Sequence, residues 1–238
     1  MKIILSPAKT FSKRSEPIGT IPYFLSDAIM LNHRLSVLSK EDLKQSMHLS
    51  NNLADLVFDY IKQFHTYQTK AIYAYDGQVF KMLDVLSLDN DTIDYMYAHI
   101  YILSGLYGIL KPSDLISYYR LEMKDTTIIN LYEYWKPKIN HYFTTEIKDD
   151  IIINLASEEY ARLLTDPRII TIDFILNKDG KKQRPAMLMK TMRGLFARHL
   201  LEKRITKLKD LKKIVINDFY YNEKLSTVHT LTFIKEIL

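Results

Sequence analysis

Three short stretches of this chain gather hydroxyl, amide and basic side chains where a fold tends to open. Ser6-Pro7-Ala8-Lys9-Thr10 follows directly on the apolar run Lys2 to Leu5 and carries two hydroxyls and an ammonium. The ends of strands are where folds built from strands and helices place ligand-contacting loops. In Ile153-Asn154-Leu155-Ala156-Ser157-Glu158-Glu159-Tyr160, Asn154 and Ser157 stand where an Ile-rich run hands over to a helix. The free N–H groups at such a helix start favour an anion. In Lys190-Thr191-Met192-Arg193-Gly194, two cations lie three residues apart at the expected start of another helix. Both can converge on one phosphate, the arginine with a bidentate fork. Each stretch also has a plain reading: Pro7 stops a strand, Ser157 caps a helix, and Lys190 and Arg193 sit on a solvated basic face.

The glycines repeat the theme. Of six glycines in 238 residues, Gly77 lies in Tyr75-Asp76-Gly77-Gln78-Val79-Phe80, Gly105 and Gly108 in Leu103-Ser104-Gly105-Leu106-Tyr107-Gly108, and Gly194 beside Arg193. Glycine costs backbone entropy, so a chain this poor in it places it where a positive φ or a close backbone approach is needed. Such places can show N–H groups to a phosphate, and they can equally end a helix or let two helices pack.

The formal charge of +5 is regional. From Lys178 to Lys213 there are 13 Lys or Arg against Asp179, Glu202 and Asp210, a net of +10, and the rest of the chain sums to −5. A patch of this kind attracts polyanions and steers their approach, unless it is only a solvated lysine-rich helix face.

Absent motifs exclude several chemistries. With no cysteine there is no disulfide framework, thiolate zinc site or thiol-based peroxide chemistry. The seven histidines form no His-x-His or His-Glu-x-x-His spacing, and no Glu-x-x-His iron signature occurs. There is no Walker A loop, dinucleotide-binding Gly-x-Gly-x-x-Gly or Gly-x-Ser-x-Gly elbow. No metal and no cofactor are expected. No apolar run reaches the roughly 20 residues of a membrane helix, and the opening apolar stretch is too short for a secretory signal. A cytoplasmic protein with no membrane partner is expected.

No repeat, low-complexity tract or Gly/Ser/Pro-rich linker divides residues 1–238, so one domain is expected. Lys2 to Leu5 reads as a buried strand. Ser26 can cap a helix toward Leu38, and Ser39 with Asp42 gives a capping-box start to the next. Leu53, Leu56, Val57, Tyr60, Ile61 and Phe64 follow helical spacing. Lys70 to Tyr75 reads as a strand, Ile93 to Leu103 as a helix, Ile116 to Met123 as extended, and Leu131 to Ile147 as a helix. Asp150 to Leu155 reads as a central strand with a helix after it. The alternation from Ile170 to Leu176, with the turn Asp179-Gly180, predicts a hairpin returning through Leu188. Thr191 to Arg204 reads as a helix and Ser226 to Ile234 as a last strand. Without a regular βαβ cadence, these elements predict an α+β fold with a mixed sheet.

Taken in order, Ser6 to Thr10, Leu103 to Pro112, Tyr119-Arg120-Leu121-Glu122-Met123 and Ile153 to Tyr160 resemble the YaaA peroxide-stress family. Arg193-Gly194-Leu195 and Glu202-Lys203-Arg204 fit its next segment. The resemblance implies a cytoplasmic bacterial protein that limits free iron and oxidative damage under hydrogen peroxide. It also implies DNA binding by a mixed α/β fold with a basic cleft and a helix-hairpin-helix element. Ser104 to Gly108, after the Ile93–Leu103 helix, is the segment that would be that hairpin, and Lys9, Lys190 and Arg193 would line the cleft. The chain departs from the family at Gln78 and Phe80, at Thr191 and at Asp218-Phe219.

Two functions follow. One is non-specific binding of duplex or distorted DNA by phosphate contacts, with Ser6, Lys9, Thr10, Gly77, Ser104, Gly105, Tyr107, Gly108, Arg120, Asn154, Ser157, Lys190 and Arg193 as candidate contacts. The other is an enzyme acting on a nucleotide or small phosphorylated ligand in a Ser/Lys/Asn/Arg pocket. Tyr107 or Glu159 would then move a proton, and nothing in the sequence selects either. Direct iron sequestration fits poorly with the histidine and carboxylate spacing.

Overall fold

A run such as Lys2-Ile3-Ile4-Leu5, with no polar face, is stable only as a strand covered on both sides. The computed structural model, which describes residues 1–66, 68–148 and 151–237, places it so, as β1 (Lys2–Leu5). Three helices follow, α1 (Leu25–Ser36), α2 (Lys40–Ser46) and α3 (Asn51–Lys62). The Ser39 hydroxyl accepts from the Asp42 N–H at 3.1 Å while the Asp42 carboxylate accepts from the Ser39 N–H, the expected capping box. The middle of the chain gives β2 (Thr69–Lys70), α4 (Ala71–Ala74), α5 (Gln78–Leu83), α6 (Asn90–His99), β3 (Ile100–Ser104), β4 (Gly108–Leu110), β5 (Leu115–Ile116) and α7 (Leu131–Glu146). Beyond it come β6 (Ile152–Asn154), α8 (Glu158–Ala161), β7 (Ile169–Lys178), β8 (Lys181–Gln183), α9 (Ala186–Glu202), α10 (Leu208–Leu211), β9 (Val215–Ile216), β10 (Phe219–Tyr221) and β11 (Thr230–Ile237).

Nine of the strands among the described residues form one mixed sheet in the order β4-β3-β1-β6-β7-β11-β10-β9, with β8 on the far end of β7. The central strands β3, β1, β6, β7 and β11 run parallel, and the outer pairings are antiparallel. The registers are Ile3↔Ile100 and Ile3↔Ile153 around β1, and Thr171↔Thr230 to Lys178↔Ile237 between β7 and β11. Phe174, Phe196, Phe219 and Phe233 pack the α9 side of this sheet, with the Phe196 and Phe233 centroids 5.1 Å apart. This is the expected α+β architecture.

The structure corrects six readings. Ser26 lies inside α1 and does not cap it, and Thr191 lies inside α9, so Lys190 and Arg193 stand in mid-helix and not at a helix start. The expected strand Lys70 to Tyr75 is β2 followed at once by α4, because Ala71 and Ala74 are small enough to bury a helical turn under β5. The expected helix to Leu103 stops at His99. Ile100 to Ser104 is buried throughout and has no polar face to show to water, so it becomes a central strand. The returning strand stops at Gln183, since Pro185 can give no strand hydrogen bond and instead opens α9 at Ala186. The last strand spans Thr230–Ile237, while Ser226 turns back to donate its hydroxyl to the Asn222 carbonyl. Asp150, at the head of the expected central strand, lies outside the described residues.

One contact sets how α9 meets the rest. A Cβ at Gly194 would stand 2.3 Å from the Val79 carbonyl oxygen and 2.6 Å from the Met82 Cβ, so α5 and α9 touch only because position 194 has no side chain. Gln78 adds a hydrogen bond across the same junction, its Nε2 donating to Thr191 Oγ1 at 2.9 Å. Overpacking of this kind costs about 1–3 kcal/mol. Gly194→Ala is therefore expected to lower the melting temperature by several degrees in a thermal melt followed by circular dichroism, and an unchanged value would show that the helices have room to part.

Candidate functional site

The strand order decides where a ligand can enter. From β1 the chain crosses to β3 on one side, whereas β6, β7 and β11 extend the sheet on the other. In sheets with parallel strands, such a reversal leaves a crevice outside the carboxyl ends of the strands. Ser6 leaves β1 and Ser157 follows β6 at this point. The Ser157 N–H donates to Ser6 Oγ at 2.7 Å and the Ser6 hydroxyl donates to Ser157 Oγ at 3.1 Å, stapling the two loops together. Asn154 lies buried beneath them. Its Oδ1 accepts from the Ala156 N–H at 2.9 Å and its Nδ2 donates to Thr171 Oγ1 at 3.0 Å, so it shapes the loop and is not open to a ligand.

Above the staple is a hollow of about 400 Å³, walled by five stretches of chain. They are Ser6 to Thr10, Gly77 to Phe80 at the head of α5, Tyr119 to Glu122, the α8 region with Ser157, Glu159 and Tyr160, and Lys190 with Arg193 on α9. Thr10 anchors the first loop by donating its hydroxyl to the Asp76 carbonyl at 2.6 Å, while the Asp76 N–H returns a bond to Thr10. Of the sequence-based candidates, Ser6, Lys9, Thr10, Gly77, Arg120, Ser157, Lys190 and Arg193 share this one hollow.

Its charges divide into two groups. The Glu122 carboxylate holds Lys9 at 2.6 Å, Arg120 at 3.4 Å and Lys124 at 3.6 Å. Burial pushes its carboxyl up, but the Lys9 hydrogen bond and the charges of Lys9, Lys124 and Arg120 outweigh this and hold it below its usual value of 4.5. From α9, the side chains of Lys190 and Arg193 line the same hollow with no ion pair or hydrogen bond to a described residue, and Asp173 reaches Arg193 only as a charge at longer range. Burial lowers the affinity of the Arg193 guanidinium for its proton, and Asp173 offsets part of this. Asp173 itself is engaged by Arg184, whose Nη2 donates to its carboxylate at 2.7 Å. Arg193 thus presents a half-buried set of donors to the hollow, an arrangement suited to a bidentate oxyanion.

The glycine hairpin lies elsewhere. Ser104 to Gly108 joins β3 to antiparallel β4, so it is a β-hairpin and not a helix-hairpin-helix, and all five residues are buried. Ser104 Oγ accepts from the Tyr107 N–H at 2.9 Å, the Tyr107 hydroxyl oxygen accepts from the Ser117 N–H at 3.0 Å, and the Gly105 carbonyl accepts from Trp135 Nε1 at 2.9 Å. Gly108 has φ +69° with the Trp135 ring where a side chain would stand. Ser104, Gly105, Tyr107 and Gly108 are therefore core residues with no path to a phosphate. The chain does contain a helical hairpin, in which Met47 to Ser50 connect α2 to α3 and His48 takes φ +52°.

Several lining residues carried no chemical signature in the sequence. Tyr119, Tyr160 and Phe80 supply a largely buried aromatic wall. The Tyr119 hydroxyl is 2.8 Å from both the Tyr75 hydroxyl and Ser104 Oγ, and burial raises its pKa to about 12, so it stays neutral. Burial likewise raises Tyr160 well above the phenol range. The sequence signal for this wall was the alternation Tyr119, Leu121, Met123 against Arg120 and Glu122, which puts one set in the core and the other toward the opening.

Because the folded state lowers the Glu122 pKa below 4.5, the unfolded chain binds the proton more tightly. The stabilisation from this group is complete above that value and is lost as the pH falls through the lower folded-state value. Urea unfolding at ~pH 6 and ~pH 3.5 should show a smaller acid loss in Glu122→Gln than in the parent chain. An equal loss in both would mean that the cations around Glu122 do not hold its charge.

Residues 1–225 match the family described as peroxide stress protein YaaA. UPF0246 proteins of Francisella tularensis strains FSC 198 and SCHU S4 are each 36% identical over 98% of this chain and 99% of their own length. A UPF0246 protein of Alteromonas mediterranea is 35% identical over 99% of the chain and 98% of its own length. With a match that runs through every stretch walling the hollow, the chain belongs to the peroxide stress protein YaaA family.

Proposed function

We propose that this protein acts in the peroxide-stress response as a cytoplasmic DNA-binding protein that grips the phosphate backbone without reading sequence. The observation that carries the reading is the pair Lys190 and Arg193, cations with no hydrogen-bonded acidic partner in a hollow at the carboxyl edge of the sheet. Of the basic run from Lys178 to Lys213, only Arg184, Arg198 and Lys213 form ion pairs with described residues. The others make no ion pair with a described residue, and a polyanion in contact with them would gain binding free energy by releasing counterions. The start of α3 adds a neutral contact point. Ser50, Asn51 and Asn52 are exposed there, and no acidic residue lies in the first turn to repel a phosphate.

In this reading protection against iron-dependent damage is exerted at the DNA and not by holding iron. Among the described residues no three His, Cys, Asp or Glu side chains gather, and no helix is long and apolar enough to cross a membrane.

The test is a titration of labelled duplex over a range of salt concentrations. Affinity should fall steeply with salt, with a log–log slope of several, and Lys190→Ala should reduce that slope by about 1 for every sequence tried. Absence of binding at low salt would end the proposal, and a slope unchanged by Lys190→Ala would move the contact away from the hollow.

A further inference from the structure

The hollow has features that duplex phosphates leave unused. At about 400 Å³ it falls within the roughly 300–1,000 Å³ range of small-ligand sites, so a backbone phosphate of a duplex can reach the cations at its edge while the interior has room for a single nucleotide. Its contents are sorted by wall. Lys190 and Arg193 stand one helical turn apart on α9 and offer donors to an anion. Tyr119, Tyr160 and Phe80 provide apolar and aromatic surface with the Tyr119 hydroxyl already bonded inward, so this wall can cover a flat ring. Glu159 faces the hollow as an acceptor, its Oε1 taking only a long bond of 3.3 Å from the Lys124 N–H. Bare phosphate would use the first wall alone, and a sugar phosphate would leave the aromatic wall dry and uncovered.

We infer that this cavity binds one nucleoside phosphate, with the phosphate on Lys190 and Arg193, the base against the aromatic wall and a carboxylate within reach of its donors. The inference deepens the DNA reading, since the nucleotide is either a free one or a unit turned out of a DNA strand. Extrusion costs a few kcal/mol for paired bases and least where a mismatch or lesion has already loosened the stack. A single-nucleotide cavity beside a backbone-binding surface would favour such sites.

The experiment uses the full chain and three compounds, dAMP, ribose 5-phosphate and inorganic phosphate, in calorimetric titrations. A second arm uses a duplex with one 2-aminopurine in a mismatch, read by fluorescence. Binding of dAMP about tenfold or more tighter than the other two supports the inference, as does a rise in 2-aminopurine fluorescence on complex formation. The first places a free nucleotide in the hollow and the second a nucleotide of DNA. Arg193→Gln should weaken the nucleotide signal about tenfold or more, the loss of a charged hydrogen bond. Lys190→Ala, at an exposed position that cannot endanger folding, should weaken it in the same direction. Equal affinity for all three compounds overturns the inference, as does absence of dAMP binding at about 1 mM together with unchanged fluorescence. If duplex affinity with its salt dependence survives that result, only the nucleotide site falls; if it is also absent, the DNA reading falls with it.

Discussion

β1 is hydrogen-bonded in parallel on both edges, to β3 and to β6, and this double pairing fixes everything above it. A one-residue slip against either neighbour would turn Ile3 and Leu5 to the opposite face of the sheet, and both faces are covered, so register and depth are set together. The carboxyl end of β1 is thereby held beside that of β6, and the mutual hydroxyl and N–H bonds of Ser6 and Ser157 follow from that placement. The hollow is a consequence of strand order. Its walls come from regions that share no local sequence signal.

Within the hollow the charges are matched on one side and unmatched on the other. Glu122 collects Lys9, Arg120 and Lys124, neutralising part of the basic wall and fixing the side chains that form it. Arg193 has been partly withdrawn from water with only the distant, already engaged Asp173 to answer it. Keeping a cation in such a place costs stability, and an incoming anion recovers it. The contrast leaves the α9 side of the hollow with cations that no acidic side chain among the described residues pairs.

The sequence announced the strand ends and the cations well, because a Ser-Pro after an apolar run and paired basic residues are local patterns. Ser6, Lys9, Ser157, Lys190 and Arg193 were legible for that reason, as was the mixed sheet with its flanking helices. Gly105 and Gly108 mislead in the sequence, since a glycine that admits the Trp135 ring reads the same as one that opens to a phosphate. Ile100 to Ser104 reads as a continuation of the helix before it because a short apolar run carries no period of its own. The Glu122 contact with Arg120 joins near neighbours in sequence, but its closer contact with Lys9 joins residues that only the fold brings together. The aromatic wall was hidden for the same reason.

Ser6 and Ser157 meet across 151 residues, and Arg193 comes later still. During synthesis, the loop that carries Lys9 leaves the ribosome long before the segments that complete its surroundings. The hollow is complete only once α9 has emerged and seated against α5. The last part of the chain therefore closes a cavity whose first wall lies near its beginning, an order of assembly built into the strand order.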